Sequence, residues 1–429
     1  MSTPLLVLLI LFFLLMVLSV PIAYCIGISG FVALLLLEPS LPIQIFAQKT
    51  MGAMDSFTIL AVPFFIISGE LMLKGGIARR LIALADAIVG GMKGGMAYVD
   101  MVASALFGAI SGSAVATTTA IGGMMYPEMV KRNYTKPFAG AVGAVGGSLG
   151  ILIPPSIAAI VYGTSTGASV GNLFLATGAV GVVACLFYCI ASRVEIGQSQ
   201  SINTAVEHKR LTFKQFLKVL VDAIWALLMP VIILGGIYGG VFTPTEAAVV
   251  SIVYAFLVCH FIYKELTWKQ LVDALISSAV TTGMVLLLLG VATFFSYMLS
   301  VLRVSSMIAD MVSSGGLSQT AFLLISIVIL VILGMIMETI PIIVLVSPIL
   351  VPVAASFGVS ALQFGVLVVL VLSFGLFTPP FGMDVFVSTS YSKQSVLSTF
   401  KMCRWYFVFG LVLIMLVAFV PDFYMWIVP

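Results

Sequence analysis

Residues 150–156 read GILIPPS and residues 375–381 read GLFTPPF, so a glycine and a proline pair twice interrupt an otherwise apolar run. A proline in a helix interior costs about 3 kcal/mol, and the carbonyl it frees finds no partner in lipid. A chain that repeats this break must enclose both copies in protein or in a polar chamber. Lipid is the relevant solvent, because 62% hydrophobic residues against 8% charged cannot cover a water-soluble protein of this size. Apolar runs recur from Leu5 to Val428, each near the roughly 20 residues that carry a helix across a bilayer and without the ten-residue alternation of barrel strands. The expected fold is an all-α polytopic membrane protein of roughly 11–12 spans.

Met1 leads almost directly into an apolar stretch with no basic start and no small-residue cleavage site. A retained first helix, bent near Pro21, is therefore expected instead of a cleaved signal. Cys25, Cys185, Cys189, Cys259 and Cys403 sit singly in apolar segments, which predicts packing roles, with neither a disulfide nor a cysteine metal site. A net charge of +3 is too small and too dispersed for nucleic acid. The positive charges that cluster are Arg193, Lys209, Arg210, Lys214 and Lys218, in a polar connection that the positive-inside rule assigns to the cytoplasm. Two short amphipathic segments, Ile77 to Val89 with Arg79 and Arg80, and Arg303 to Val312, read as helices along the membrane interface. Their basic residues suit lipid anchoring as well as linkage between domains.

The polar connection divides a duplicated chain. A shift of 225 lays Pro127 on Pro352, Gly140 on Gly365, Gly150 on Gly375, and Pro154–Pro155 on Pro379–Pro380. With small slips, Gln44 meets Lys269, LADAIVGG at 84 meets IADMVSSGG at 308, and VPIA at 20 meets TPTE at 243. Paired broken helices in two halves point to a secondary transporter with its site at the repeat interface.

Each half carries a second irregular element before its break. The run from Met96 to Gly108 offers about 20 Å of helix before AISGSAVATTTAIGG, too little to span comfortably. A re-entrant hairpin with its tip near Ser111 to Ala114 is expected, and a second where Ala321 to Leu333 meets GMIMETIPI. Carbonyls released before the proline pairs are hard ligands for a small cation such as Na⁺, and half-helix N-termini present N–H groups to an anion. No Arg or Lys lies between Gly94 and Val130, so the first tip offers an anion only main-chain dipoles and the hydroxyls of Ser111, Ser113 and Thr117. At the second tip the polar pair is Glu338 and Thr339.

Plainer roles compete for several of these residues. Gly143 and Gly146 fit small-xxx-small helix packing equally well, Ser111 and Ser113 fit bonding back to helix carbonyls, and Glu246 after Thr243 fits a helix cap. Asp55, Glu70, Asp100 and Asp384 are expected near interfaces. An intramembrane carboxylate such as Glu338 is usually functional. GGSLG at 146–150 matches a nucleophile elbow, but it lacks strand context and both His208 and His260 lie far from it. With no P-loop or HExxH in the sequence, enzyme and ATPase readings fall away.

The segments GAISGSAVATTTAIGGMMYPEM, GGSLGILIPPSIAAIVYG, GGIYGGVFTPTEAAVV and LSFGLFTPPFGM resemble the large membrane subunit of tripartite ATP-independent periplasmic (TRAP) transporters nearly end to end. The resemblance implies an inverted-repeat, elevator-type transporter of the bacterial inner membrane with two re-entrant hairpins and two broken helices. It implies Na⁺ co-transport without an organic cofactor, a small four-helix membrane subunit, and a periplasmic substrate-binding protein that delivers a small organic anion: a C4-dicarboxylate, a sugar acid such as sialic acid, or a sulfonate. Carried over residue by residue, a first Na⁺ site falls on Gly108, Ser111, Gly150, Ile153 and Pro155. A second falls on Gly334, Gly375 and Thr378, with Phe381 at its edge. Relatives commonly have aspartate where this chain has Glu338. The implied division is scaffold and first arm at 1–91, transport-domain repeats at 92–192 and 317–400, an inter-repeat loop at 193–218, scaffold and second arm at 219–316, and a final helix at 401–429. Alternatives are a stand-alone anion permease that needs no binding protein, and proton coupling through Glu338.

Overall fold

The computed structural model describes residues 3–37, 41–198, 212–304, 306–307 and 317–428. Among these the regular structure is entirely helical. The first half runs α1 (Thr3–Val17), α2 (Ile22–Leu35), α3 (Gln44–Met54), α4 (Ala61–Lys74), α5 (Ile77–Val89), α6 (Gly95–Ser111), α7 (Ala114–Thr117), a π-helical turn (Thr118–Gly122), α8 (Gly123–Lys131), α9 (Lys136–Ser148), α10 (Ile157–Thr166) and α11 (Val170–Gln198). The second half runs α12 (Phe213–Tyr238), α13 (Pro244–Leu257) with a π-helical end, α14 (Trp268–Val301), α15 (Gln319–Ile336), α16 (Thr339–Ser356), α17 (Ala361–Gly375), α18 (Met383–Ser392), α19 (Val396–Lys401), α20 (Arg404–Phe419) and α21 (Asp422–Met425).

Six helices are long and apolar enough to cross a membrane, seven if α4 and α5, bent by 71°, count as one span. The remaining apolar helices have 10–17 residues, because tips, breaks and turns cut the hydrophobic runs into pieces shorter than a bilayer needs. The expected single bent helix at the N-terminus is instead two, α1 and α2, packed against each other across the turn at residues 18–21. Ser19 takes a positive φ of 58° there and Pro21 precedes α2 without an N–H to offer. Helix also extends into the polar connection from both sides, so Arg193, Lys214 and Lys218 lie on α11 and α12. Lys209, Arg210, His208 and most of the second amphipathic segment fall outside the described residues.

The duplication read from the sequence recurs in the helix boundaries. Shifted by 225, the starts of α7 and α9 fall on those of α16 and α17, and the Pro154–Pro155 and Pro379–Pro380 bonds are both cis. The two copies touch where Ser373 Oγ donates to the carbonyl of Ser148, its own counterpart 225 residues away, at 2.8 Å. One element departs from the symmetry: α14 is a continuous 34-residue helix, whereas the matching stretch is split into α3 and α4.

One layer is built on α14. Gly27 and Gly30 of α2 admit Val291 and Phe294, with a Cβ at Gly30 falling 3.0 Å from the Phe294 ring, and Phe46 of α3 meets Phe294 edge-on at 4.9 Å. The amphipathic α5 occupies the expected range. Its basic residues pair with protein: Arg79 and Arg80 reach Glu265 at 2.7 and 2.9 Å, and Arg80 lies 3.6 Å over the Tyr263 ring. A second group gathers α6, α8–α11, α15–α18 and α20 around large buried side chains, with Tyr162 donating to the Ala361 carbonyl at 2.7 Å.

Arg404 at the start of α20 grips Glu195 near the end of α11 through two bonds of 2.9 and 3.2 Å, and Trp405 donates to Gln198 at 3.1 Å. The Glu195 side chain is 2% exposed, so removing its partner strands a charge. Arg404→Leu is expected to destabilise the purified protein by on the order of 2 kcal/mol, and Glu195→Leu added to it should recover most of the loss. Thermal unfolding of the two variants checks this; equal losses would assign Arg404 a packing role only.

Candidate functional site: two helix tips against two helix breaks

The first tip follows from its small residues. α6 ends at Ser111, Gly112 turns left-handed at φ 62° and returns its N–H to the Gly108 carbonyl at 2.9 Å, a helix stop that glycine performs without a Cβ penalty. Ser113 then extends and restarts the helix, its Oγ accepting from Ala116 N at 3.4 Å. Thr117 Oγ1 donates to the Ser113 carbonyl at 2.8 Å and lies 3.1 Å from Ser111 Oγ. The hydroxyls of Ser111, Ser113 and Thr117 thus knit the tip and are partly committed to its own main chain.

Against this tip lies the first break. α9 tightens into a 3₁₀ turn at Leu149–Ile151, the chain turns and bends through residues 152–155 with Ile153 N–H returning to the Leu149 carbonyl at 3.0 Å, and Ser156 both donates to the Ile151 carbonyl at 2.6 Å and caps α10. Gly108 faces Gly150 so closely that a Cβ on Gly108 would fall 2.8 Å from Gly150 Cα, and one on Gly150 would fall 2.6 Å from the Ser113 carbonyl. The Pro155 carbonyl lies against Gly112, and Ile157 N–H donates to the Gly112 carbonyl at 3.3 Å. Ile153 turns its side chain toward Gly181 of α11, leaving only its main chain available to the site.

The second half repeats the contact. A Cβ on Gly334 would fall 3.1 Å from Gly375 Cα, and one on Gly375 would fall 2.8 Å from Gly334 Cα. Thr378 is buried, its hydroxyl donating to the Phe374 carbonyl at 2.6 Å. Phe381 is not gathered in: the residue is 53% exposed and its ring stacks on Phe386. The two tips differ in one respect. Glu338 occupies the place of Ser113 yet makes no capping bond to α16, so the first N–H groups of that helix lack a side-chain cap. Thr339 beside it is buried with its hydroxyl unpartnered.

Both tips and both breaks border one cavity of about 40 Å³, lined among others by Gly112, Ser113, Ile151, Glu338, Thr339 and Leu376. That is room for a few waters. Among the described residues that line it, Glu338 is the only ionisable one. The first tip also meets the α14 layer, where a Cβ on Gly69 of α4 would fall 3.3 Å from Ser111 Cα.

Two carboxylates not assigned to the site by the sequence, Asp100 and Asp384, are both fully buried within the protein. The place of Asp384, in the first turn after PPFGM, was the available signal.

A model of the family described as "Tripartite ATP-independent periplasmic transporter, DctM component" matches residues 9–423. The chain belongs to the TRAP large-permease family. It is a multi-pass protein of the bacterial inner membrane. It is 37% identical over 395 residues to the C4-dicarboxylate TRAP transporter large permease of Pseudomonas aeruginosa, covering 92% of this chain and 91% of that one. It is 36% identical over 411 residues to the isethionate TRAP transporter permease protein DctMQ of Oleidesulfovibrio alaskensis, covering 96% of this chain but only 64% of that longer one. Among solved structures, the Alcanivorax borkumensis YdaH transporter superposes with a TM-score of 0.66 at 14% identity over 89% of both chains, a likeness of fold.

If the permease depends on bare main chain at the tip–break contact, Gly150→Ala should disrupt it. The added methyl overlaps the Ser113 carbonyl and costs about 1–3 kcal/mol, whereas at Gly140 a Cβ meets Ser392 at an ordinary 3.5 Å. Thermal unfolding should show the Gly150→Ala loss and near-neutrality for Gly140→Ala; equal behaviour would refute the contact.

Proposed function

We propose that this permease is the membrane component of a Na⁺-coupled importer of a small organic anion, in which a mobile transport domain carries the cargo past a fixed scaffold. The observation that carries the reading is the meeting of two glycine-lined tips and two helix breaks around one cavity. Lost helical bonds at both breaks leave carbonyl oxygens at membrane depth, which suit Na⁺, and the uncapped start of α16 suits a carboxylate or sulfonate.

In this reading the first Na⁺ is held by Gly108, Ser111, Gly150, Ile153 and Pro155 and the second by Gly334, Gly375, Thr378 and the Phe381 main chain. Ser111, Ser113, Thr117, Glu338 and Thr339 face the substrate. Residues 92–192 and 317–400 form the moving body, with two re-entrant hairpins related by an inverted repeat, and α5 links it to the frame. The names of relatives that handle C4-dicarboxylates and isethionate support a small organic anion, and the tripartite family supports a periplasmic binding protein and a small membrane subunit as partners. A proton-coupled variant has one observation in its favour: Glu338 is free of capping and lines the cavity.

Uptake into proteoliposomes containing the permease and its small subunit should require both the cognate binding protein and an inward Na⁺ gradient. Thr378→Ala should raise the half-saturating Na⁺ concentration roughly tenfold, the scale of losing one oriented partner at a metal site, with folding intact. Uptake that ignores Na⁺, follows a pH gradient and is lost in Glu338→Gln would replace the Na⁺ mechanism by the proton one.

A further inference from the structure

We propose that the groove between α5, α12 and the π-helical end of α13 holds the headgroup of an anionic phospholipid, with Lys218 and Arg80 on its phosphate. The groove encloses about 610 Å³ and is lined among others by Arg80, Lys218, Asp222, Trp225, Ile262 and Tyr263. It shares no lining residue with the cavity between the tips, so the proposal stands apart from Na⁺ coupling.

The floor of the groove is built in advance. Tyr263 and Tyr254 donate to the carbonyls of Asp222 and Trp225 at 2.8 and 2.7 Å, which ties α13 and its π-helical end to α12. The Arg80 side chain is only 12% exposed and is fixed from several sides: it lies 3.6 Å over the Tyr263 ring, contacts Glu265 at 2.9 Å and Asp222 at 3.4 Å, and donates to the Gly76 carbonyl at 3.1 Å. These contacts do not exhaust the five N–H donors of a guanidinium. Lys218 is different. Among the described residues its ammonium has no ion-pair or hydrogen-bond partner, since Asp222, one turn further along α12, engages Arg80 instead. Arg79, Arg80 and Lys218 thus face Glu265 and Asp222, three positive charges against two, and Lys214 one turn before Lys218 adds another.

The surroundings decide which anion fits. α12 leaves the polar connection that the positive-inside rule assigns to the cytoplasm, so Lys218 near its start stands at headgroup level. Anionic lipids give that leaflet its negative potential, and basic pockets between spanning helices on this side bind their headgroups. Leu217, Val221 and Ile224 of α12 and Ile262 beside them are exposed along the same stretch, while Trp225 and Tyr263 offer the apolar body and polar edge that suit a membrane interface. A soluble phosphate would satisfy the cations and leave this apolar flank bare. A phospholipid covers both, its phosphate on Lys218 and Arg80 and its acyl chains along α12.

Native mass spectrometry of the purified full-length permease, delipidated in detergent and titrated with dioleoyl phosphatidylglycerol or dioleoyl phosphatidylcholine, tests the site. The wild type should hold one phosphatidylglycerol more tightly than phosphatidylcholine, and its unfolding temperature should rise with phosphatidylglycerol. Lys218→Gln should weaken that first phosphatidylglycerol roughly fivefold, the scale of one lysine beside an anionic surface, and leave the unfolding temperature in phosphatidylcholine unchanged. Lys401→Gln, which removes an exposed lysine at the end of α19, should alter neither reading. Equal affinity for the two lipids, or an equal loss in Lys401→Gln, overturns the proposal by reducing the binding to general attraction. Inorganic phosphate that displaces the lipid and reproduces the Lys218-dependent stabilisation overturns it in favour of a soluble ligand. With the small membrane subunit bound the lipid should remain; its loss there would overturn the proposal and give this face to that subunit.

Discussion

Main chain pressed on main chain is the constraint from which the rest of this permease follows. At Gly108 against Gly150 and at Gly334 against Gly375, helices approach until no side chain fits between them. Such closeness at the centre of a membrane protein has two effects. It packs the hairpin tips onto the breaks without hydrophobic side chains, through dispersion and the fit of small residues. It also brings the main-chain groups of the first tip and first break within bonding reach, as where the Ile157 N–H donates to the Gly112 carbonyl. A side chain at any of the four glycines would collide with the backbone opposite.

The duplication is exact enough to align caps and breaks, and its departures are informative. Ser113 caps the helix that follows the first tip, whereas Glu338 in the equivalent place leaves its helix uncapped and turns to the cavity. The first tip therefore presents hydroxyls already engaged, and the second an uncapped helix start beside Glu338. The two faces of one cavity thus differ in kind, although the backbone that frames them is shared.

Much of this was legible in the sequence, for reasons that can be named. Glycine and proline are demands on the backbone, not on packing, so their register across the halves survived where side chains diverged; hence Gly150 with Gly375 and the paired prolines. The arm at Ile77–Val89 was legible to the residue, because its amphipathic period lies between glycine pairs. The pairing of α1 with α2 was not, since Ser19 and Pro21 in an apolar run read equally as a kink or a turn until a neighbouring helix decides. The basic residues of α5 were ambiguous for the same reason: Glu265, their partner, is remote in sequence. The burial of Asp384 was not legible because a carboxylate after PPFGM looks alike on a surface and in a core, and the π-helical turn that packs on its helix comes from the other repeat.

The contact of Ser111 with Gly69 of α4 has a mechanical meaning. A hairpin tip that rests on the bare backbone of its neighbour holds no knob in a hole at that point, and the surface beneath it is smooth on the scale of a methyl group. Whatever fixes the register of the two helix groups against each other must therefore come from side chains elsewhere along their boundary, since this contact supplies none.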